Sequence, residues 1–266
     1  MGGTLMPAHM KLRSAYENLS IAERKVADFI LGNLSMVPHM VVNEIAERSG
    51  VSVPTVVRLA KKLGYQSFLN FRVALAVSHQ LGDDDYTPIS AEDSDEQLVH
   101  KVFSGSIQSL METEQSLDIK LLSQLAGQLT GCRRIMLYGT GSSGVLCCDF
   151  CYMFNYLGID TVTATEPNMA KIQASHLGPD DVFLALSRSG TTQVTMDVLE
   201  IAHSSGATCA FITNYLHSPA KELCEYFFCT SYAADQFEIS QRDSNVSHSV
   251  LLTTIYLLIA RKNLKG

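Results

Sequence analysis

The chain has 266 residues, 46% of them hydrophobic, and a formal net charge of −7. That length and apolar content allow two domains with full cores and exclude a disordered or fibrous chain. The most apolar stretch, 250–260, carries Thr253 and Thr254 and falls short of the roughly 20 residues of a membrane span. No basic-then-apolar leader is visible, so a cytoplasmic protein is expected.

Charge is unevenly spread. Residues 1–80 hold nine Lys/Arg against five Asp/Glu, and the remainder holds eleven against twenty-two. A basic module joined to an acidic one points to a polyanionic partner for the first. The seven cysteines, at 132, 147, 148, 151, 209, 224 and 229, are odd in number and sit in apolar runs. That fits reduced, buried thiols. Cys148 and Cys151 have a C-x-x-C spacing without a second ligand pair, so neither a metal nor a cofactor is expected.

The opening residues MGGTLMPAHM are left out of the fold reading. From there to residue 80 the periodicity is helical. LSIAERKVADFILGNL places Ile21, Val26, Phe29 and Ile30 on one face, and Ser20 and Glu23 form an S-x-x-E capping box at its start. VVNEIAERSG is a second helix that stops at Gly50. SVPTVVRLAKKLG is a third, with Ser52 as its N-cap, Pro54 in its first turn and Gly64 beyond its end. FLNFRVALAVSHQL is a fourth.

Residues 42–61 fit a helix-turn-helix. Ala46 is small where the two helices cross, Gly50 permits the turn, and Ile45, Val51, Val56 and Leu59 are apolar where the pair packs. Val53, Thr55, Arg58, Lys61 and Lys62 are left outward. A recognition helix in the major groove sets its N-terminal residues against bases and its cations on phosphates. Ser52, Val53 and Thr55 are therefore expected to approach bases, with Arg58 reaching guanine or phosphate and Lys61 and Lys62 contacting phosphates. A small helical bundle with a solvated basic face is the plainer alternative.

Residues 82–96, GDDDYTPISAEDSDE, carry seven acids, no Lys or Arg and little apolar content. They read as a linker, giving domains at 1–80 and 97–266 joined by 81–96. After it come two helical stretches, 97–116 and 118–130. Strand candidates at 134–138, 159–164, 182–186, 208–212 and 226–230 then alternate with helical patterns at 143–157, 168–176, 191–205, 219–224 and 244–263. Such alternation predicts a parallel sheet covered on both faces, with ligands outside the carboxyl ends of its strands. The fold class is α/β overall, an all-α domain followed by a three-layer α/β/α domain with five parallel strands.

Two strand-to-helix junctions carry the chemistry. LYGTGSSG, 137–144, has Gly139 and Gly141 for a tight turn, with Ser142 and Ser143 leading into a helix N-terminus that favours an anion. It meets neither the dinucleotide fingerprint nor the Walker A pattern. LALSRSGTTQ, 184–193, ends a strand in Ser187, Ser189, Thr191 and Thr192 around Gly190. Hydroxyls and free N–H groups there can wrap a tetrahedral anion. An ordinary capped turn explains one such junction better than it explains two in one sheet.

GTGSSG with SRSGTT resembles the two phosphate-binding loops of the sugar isomerase (SIS) domain. The second loop of that family reads S-x-S-G-x-T, met here by Ser187, Ser189, Gly190 and Thr192. The first ends G-x-S, met by Gly141 and Ser143. The resemblance implies a phosphosugar held by Ser142, Ser143, Ser187, Ser189, Gly190 and Thr192, with Arg188 able to reach ligand or a neighbouring subunit. A helix-turn-helix followed by an SIS domain is similar to the RpiR type of bacterial transcriptional regulators. LSIAERKVADFIL, IAERSGVSVPTVVRLAKKLGYQSFLNFRVAL and HSPAKELCEYFF carry that likeness. It implies a homodimer or homotetramer on double-stranded operator DNA, answering to a phosphorylated sugar or amino sugar. The sugar-facing region departs from the family: Glu166, Pro167 and Asn168 follow the second strand, and Ser244, Asn245 and His248 stand near the last helix. Glu166, Asn168 and His248 are the sugar-facing candidates.

The SIS fold also houses isomerases and an etherase. Those need a tuned acid or base, and Glu166, His176, Glu238 and His248 are the candidates. A metabolic isomerase has no use for a helix-turn-helix, so a regulator, acting as a repressor, is expected rather than an enzyme.

Overall fold

The computed structural model describes residues 8–34, 36–79, 90, 92–232 and 241–263. It divides into two compact units. The helical unit runs to Glu112 and includes Ser231 and Tyr232. The α/β unit holds Thr113–Thr230 and the last helix.

The helical unit contains α1 (Ala8–Ala15), α2 (Ile21–Leu31), α3 (Val42–Arg48), α4 (Val53–Lys62), α5 (Phe68–His79) and the greater part of α6 (Asp95–Ser116). The capping box at the start of α2 is present: Ser20 N donates to Glu23 Oε2 at 2.9 Å, and Glu23 N donates to Ser20 Oγ at 3.4 Å. Between α3 and α4, Gly50 takes a φ of 65° and Val51 N donates to Ala46 O at 2.9 Å. Ile45, Val56, Leu59, Ala60 and Leu63 are buried there, as are Val26 and Ile30 of α2.

One correction concerns the start of the chain. Setting aside the first ten residues missed α1, whose Ala8, Met10, Leu12 and Ala15 are buried. The same helix buries His9 and Arg13, because α6 supplies a carboxylate for both. Glu112 accepts from Arg13 Nη1 at 2.8 Å and lies 3.1 Å from His9 Nε2. It also accepts from Gln108 Nε2 at 3.1 Å and from the Ser231 hydroxyl. Tyr232 Oη donates to Arg13 O at 3.1 Å. The Arg13 guanidinium and these donors outweigh the cost of burial and hold the Glu112 carboxyl down at about 2. Residues 81–89 and 91 of the expected linker lie outside the described residues, and its last two residues, Asp95 and Glu96, already begin α6.

The α/β unit follows with α7 (Ile119–Gly131), β1 (Arg134–Tyr138), α8 (Ser142–Tyr156), β2 (Thr161–Thr163), α9 (Pro167–Ser175), β3 (Asp181–Leu186), α10 (Gln193–Ser204), β4 (Thr208–Thr213), β5 (Tyr226–Cys229) and α11 (Gln241–Asn263). A 3-10 helix occupies Pro219–Leu223, where a longer helical pattern was expected. The sheet has five parallel strands in the order β2-β1-β3-β4-β5. Strand side chains alternate between faces. Ile135, Leu137, Val182, Leu184 and Leu186 pack with α7, α8 and α11, while Met136, Tyr138, Phe183, Ala185 and Phe211 pack with α9 and α10. Covered on both sides, β3 buries all six residues.

The strand order fixes where a ligand can sit. The chain leaves β1 toward β2 on one side, then returns to place β3 on the other side. The loops after β1 and β3 therefore diverge at the switch point of the sheet, the usual crevice of open α/β folds. Among the described residues no helix is long and apolar enough to cross a membrane.

Candidate functional sites

The loops after β1 and β3 enclose a cavity of about 160 Å³, lined by Thr140, Gly141, Ser142, Ser143, Ser187, Arg188, Ser189 and Thr192. At about 30 Å³ per water molecule, that is room for a tetrahedral oxyanion with a few waters. Close packing makes the cavity. A Cβ on Gly139 would lie 2.9 Å from Leu186 O, and one on Gly144 would lie 2.7 Å from Gly139 O. Glycine at both positions lets the β1 loop, the end of β3 and the first turn of α8 meet.

The second loop is held from behind. Gly190 has a φ of 65° and its N–H donates to Ser187 O at 3.1 Å. Its carbonyl accepts from Ser218 Oγ at 2.5 Å. Arg188 O accepts from Thr213 Oγ1 and from Asn214 N, both at 3.1 Å. With the backbone pinned, Ser187 Oγ and Ser189 Oγ lie 3.1 and 3.2 Å from Thr192 Oγ1, so the three hydroxyls form one polar cluster. Neither Gly141 at the start of α8 nor Thr192 at the start of α10 caps its helix with a side chain. First-turn N–H groups, which lack intrahelical partners, and two helix dipoles then favour an anion at this spot. Arg188 adds the positive charge.

Of the residues expected to hold a phosphate, Ser142, Ser143, Ser187, Ser189 and Thr192 all line the cavity. Gly190 lies behind it and shapes the turn. Thr140 also lines it and was missed, although it sits inside the quoted first loop. The supports Thr213, Asn214 and Ser218 were missed too, since their role depends on β4 pairing beside β3.

The sugar-facing candidates lie elsewhere. Glu166 caps α9, accepting from Asn168 N at 3.0 Å and Met169 N at 2.8 Å. Those backbone N–H groups hold its carboxyl below the usual range. An acid followed by proline at a helix start is a legible capping signal. Asn168 is exposed on the first turn of α9. His248 is fully buried on α11, and neither ring nitrogen has a partner among the described residues. Burial, with the Arg188 charge added, pushes its pKa down to about 4, so the imidazole is neutral at physiological pH. None of the three lines the cavity. His176 is exposed, with Nδ1 2.7 Å from Ile172 O. Glu238 and the side chain of Ser244 lie outside the described residues. All seven cysteines are free; burial pushes the Cys209 and Cys229 thiols up to about 12.

In the helical unit, α4 presents Ser52, Arg58, Lys61 and Lys62 as exposed residues, with Val53 half-buried. Thr55 requires correction. It is 4% exposed and faces inward, not outward. Its Oγ1 lies 3.1 Å from Ser52 Oγ and accepts from Arg58 Nη2 at 3.3 Å. Ser52 is the N-cap residue, yet its hydroxyl meets Thr55 instead of capping a backbone N–H. Thr55 thus orders the two residues on either side of it. Lys62 is also engaged, donating to Asn18 O at 2.7 Å and pairing with Glu23 at 3.1 Å.

A helix-turn-helix in one unit, and a hydroxyl-lined anion cradle at the switch point of a parallel sheet in the other, define a DNA-binding regulator with a sugar-isomerase-type domain. The family comparisons agree: the helix-turn-helix domain of the rpiR family matches residues 6–81, and the SIS domain matches residues 128–259. The chain belongs to the rpiR family of transcriptional regulators. The regulator RpiR of Escherichia coli K12 is 26% identical over 260 residues, covering 96% of this chain and 86% of that one. An uncharacterized regulator of Haemophilus influenzae is 28% identical over 256 residues, covering 94% and 89%. Among solved structures, Vibrio vulnificus NanR complexed with ManNAc-6P superposes with a TM-score of 0.59 at 23% identity, covering 97% of this chain and 93% of that one. The phosphoheptose isomerase GmhA of Neisseria gonorrhoeae gives 0.54 at 17% identity, covering 62% and 99%. At these identities the structures speak for the fold alone.

Proposed function

We propose that the protein is a cytoplasmic, operator-binding repressor of sugar or amino-sugar catabolism genes, controlled by a phosphorylated sugar. Residues 1–80 form its DNA-binding domain, 81–96 its linker and 97–266 its effector domain. Ser142, Ser143, Ser187, Ser189, Gly190 and Thr192 hold the phosphate, with Glu166 and Asn168, exposed at the start of α9, toward the sugar. Ser52, Val53, Arg58, Lys61 and Lys62 meet double-stranded operator DNA, and Thr55 positions Ser52 and Arg58. The observation that carries the reading is the cavity itself: three clustered hydroxyls, two uncapped helix N-termini and Arg188 around a volume sized for an oxyanion. NanR, whose structure holds ManNAc-6P, supports an amino-sugar phosphate as the first compound to try.

Control follows from linkage. Effector favours one arrangement of a homodimer or homotetramer and so changes the spacing of two recognition helices. Half-sites lie roughly 34 Å apart, and a ligand shifts that equilibrium only by its differential affinity for the two arrangements.

The cradle supports a sensor over an isomerase. Glu166 is occupied as a helix cap and kept ionised, and His248 is buried away from the cavity lining. The deciding experiment is a thermal-shift panel of sugar phosphates paired with operator gel shifts. A specific effector at 100 times its Kd stabilises by about 2.7 kcal/mol and changes operator affinity. Ser189→Asp, which sets a like charge in the cradle, removes both responses and leaves operator binding without effector intact. A normal response in that variant, or turnover of a sugar phosphate by the purified protein, would refute the reading.

A further inference from the structure

α4 meets DNA with a short chemical repertoire. The helix reads VPTVVRLAKK and holds no Asn, Gln, Asp or Glu. Carboxamides are the bidentate readers of adenine, and carboxylates accept from the cytosine amino group. Neither is available along this helix. Pro54, Arg58 and Lys61 stand at i, i+4 and i+7, all exposed, and form one outward stripe. Val53 and Val57, half-buried, flank it. Pro54 has no N–H, so the first turn presents carbon there instead of a further donor. In the major groove the base feature that rewards carbon is the thymine C5 methyl.

Arg58 is held toward the same end of the helix. Its Nη2 donates to Thr55 Oγ1 at 3.3 Å, and Thr55 Oγ1 lies 3.1 Å from Ser52 Oγ. Thr55 is 4% exposed, so the anchor is fixed from beneath. The contact turns the guanidinium back toward the first turn and away from Lys61. It engages one of the five N–H donors of arginine. The planar fork that remains matches O6 and N7 of guanine. Side chains four residues apart have Cβ atoms about 5–6 Å apart, close to two base-pair steps of roughly 3.4 Å.

We propose that α4 reads guanine through Arg58 and thymine methyl groups through Pro54 and Val53, about two base-pair steps apart in each half-site. The proposal rests on the operator-binding reading and deepens it to base chemistry. The full-length protein selects a double-stranded site from random DNA, and analogues are then placed in that site one base at a time. Deoxyuridine for thymidine removes the methyl alone, and 7-deazaguanine for guanine removes N7 alone. The expected result is an affinity loss of about fourfold at one or more thymines and of roughly tenfold at a neighbouring guanine. The thymine loss disappears in Val53→Ala or Pro54→Ala and the guanine loss in Arg58→Ala, as double-mutant cycles require of groups in contact. Thr55→Val, which removes the hydroxyl and keeps the shape, shrinks the guanine loss and leaves the thymine loss intact. The analogue measurements use the wild-type protein, so they stand even where a variant fails to fold. A site indifferent to deoxyuridine at every thymine, or to 7-deazaguanine at every guanine, overturns the proposal and leaves the operator-binding reading in place. A loss that persists unchanged in its matching variant does the same, and an unchanged guanine loss in Thr55→Val removes the anchoring role of Thr55. Failure to select any site overturns both readings.

Discussion

Gly190→Ala tests whether the second loop is a tight cradle or only a turn. At a φ of 65° an L side chain costs roughly 1–2 kcal/mol. The added Cβ would also stand 2.7 Å from Ser218 Cβ and 2.7 Å from Thr213 Oγ1. Crowding of that kind typically adds about 1–3 kcal/mol. Relieving it means moving Thr213 or Ser218, which pin Arg188 O and Gly190 O, so the Ser187, Ser189 and Thr192 hydroxyls lose their common focus. The expected loss is about 2–5 kcal/mol, or roughly 5–15 °C in Tm for a domain of this size, with phosphosugar affinity falling by about tenfold or more. Gly158→Ala, in the same unit but away from the cradle lining, is the control. Its φ is 79°, yet nothing lies within 4 Å of the added Cβ, so only the backbone cost applies. Calorimetric unfolding of both variants, with and without effector, separates strain from crowding. Equal losses in the two variants, or wild-type phosphosugar affinity in Gly190→Ala, would show that the supports behind the loop do not hold it.

Other expectations follow from the same contacts. Arg58→Ala should weaken operator binding by about 1–3 kcal/mol if Arg58 reads guanine, with effector affinity unchanged; an unaltered gel shift removes it from the interface. Glu112 is held down at about 2, below the ordinary glutamate value of 4.5, so its stabilising contribution is present above pH 4.5 and is lost as pH falls toward 2. The shift corresponds to on the order of 3 kcal/mol, and Glu112→Gln should flatten the stability–pH curve across that window. His248 is lowered from 6.5 to about 4, and its unfolded form takes up the proton first. It therefore costs stability as pH falls from 6.5 toward 4, by a similar magnitude, and His248→Leu should remove that slope in urea titrations. A slope that persists would mean other groups cause it.

What the sequence discloses depends on how far a residue's partners lie along the chain. β1 begins and ends at its expected residues because its apolar run is bounded locally, by Arg134 and Gly139. β2 is shorter than its run, pairing only over Thr161–Thr163 as an edge strand. The cradle loops are legible for the same local reason: an anion site built on backbone N–H groups needs glycine and hydroxyls within one turn of a helix start. α1 was not legible, because burying His9 and Arg13 makes sense only once Glu112, about a hundred residues away, is placed beside them. Thr55 failed on a smaller scale, since helical spacing alone does not show that its hydroxyl joins Ser52 and Arg58. The surroundings of Arg188 belong with these long-range cases. Arg188 lines the cradle in the loop after β3, and its charge acts on His248 of α11, sixty residues away. A phosphate that neutralises Arg188 would also be felt at that buried imidazole. Contacts between distant segments are thus what the sequence hides, while the hydroxyl cradle is written within a single turn.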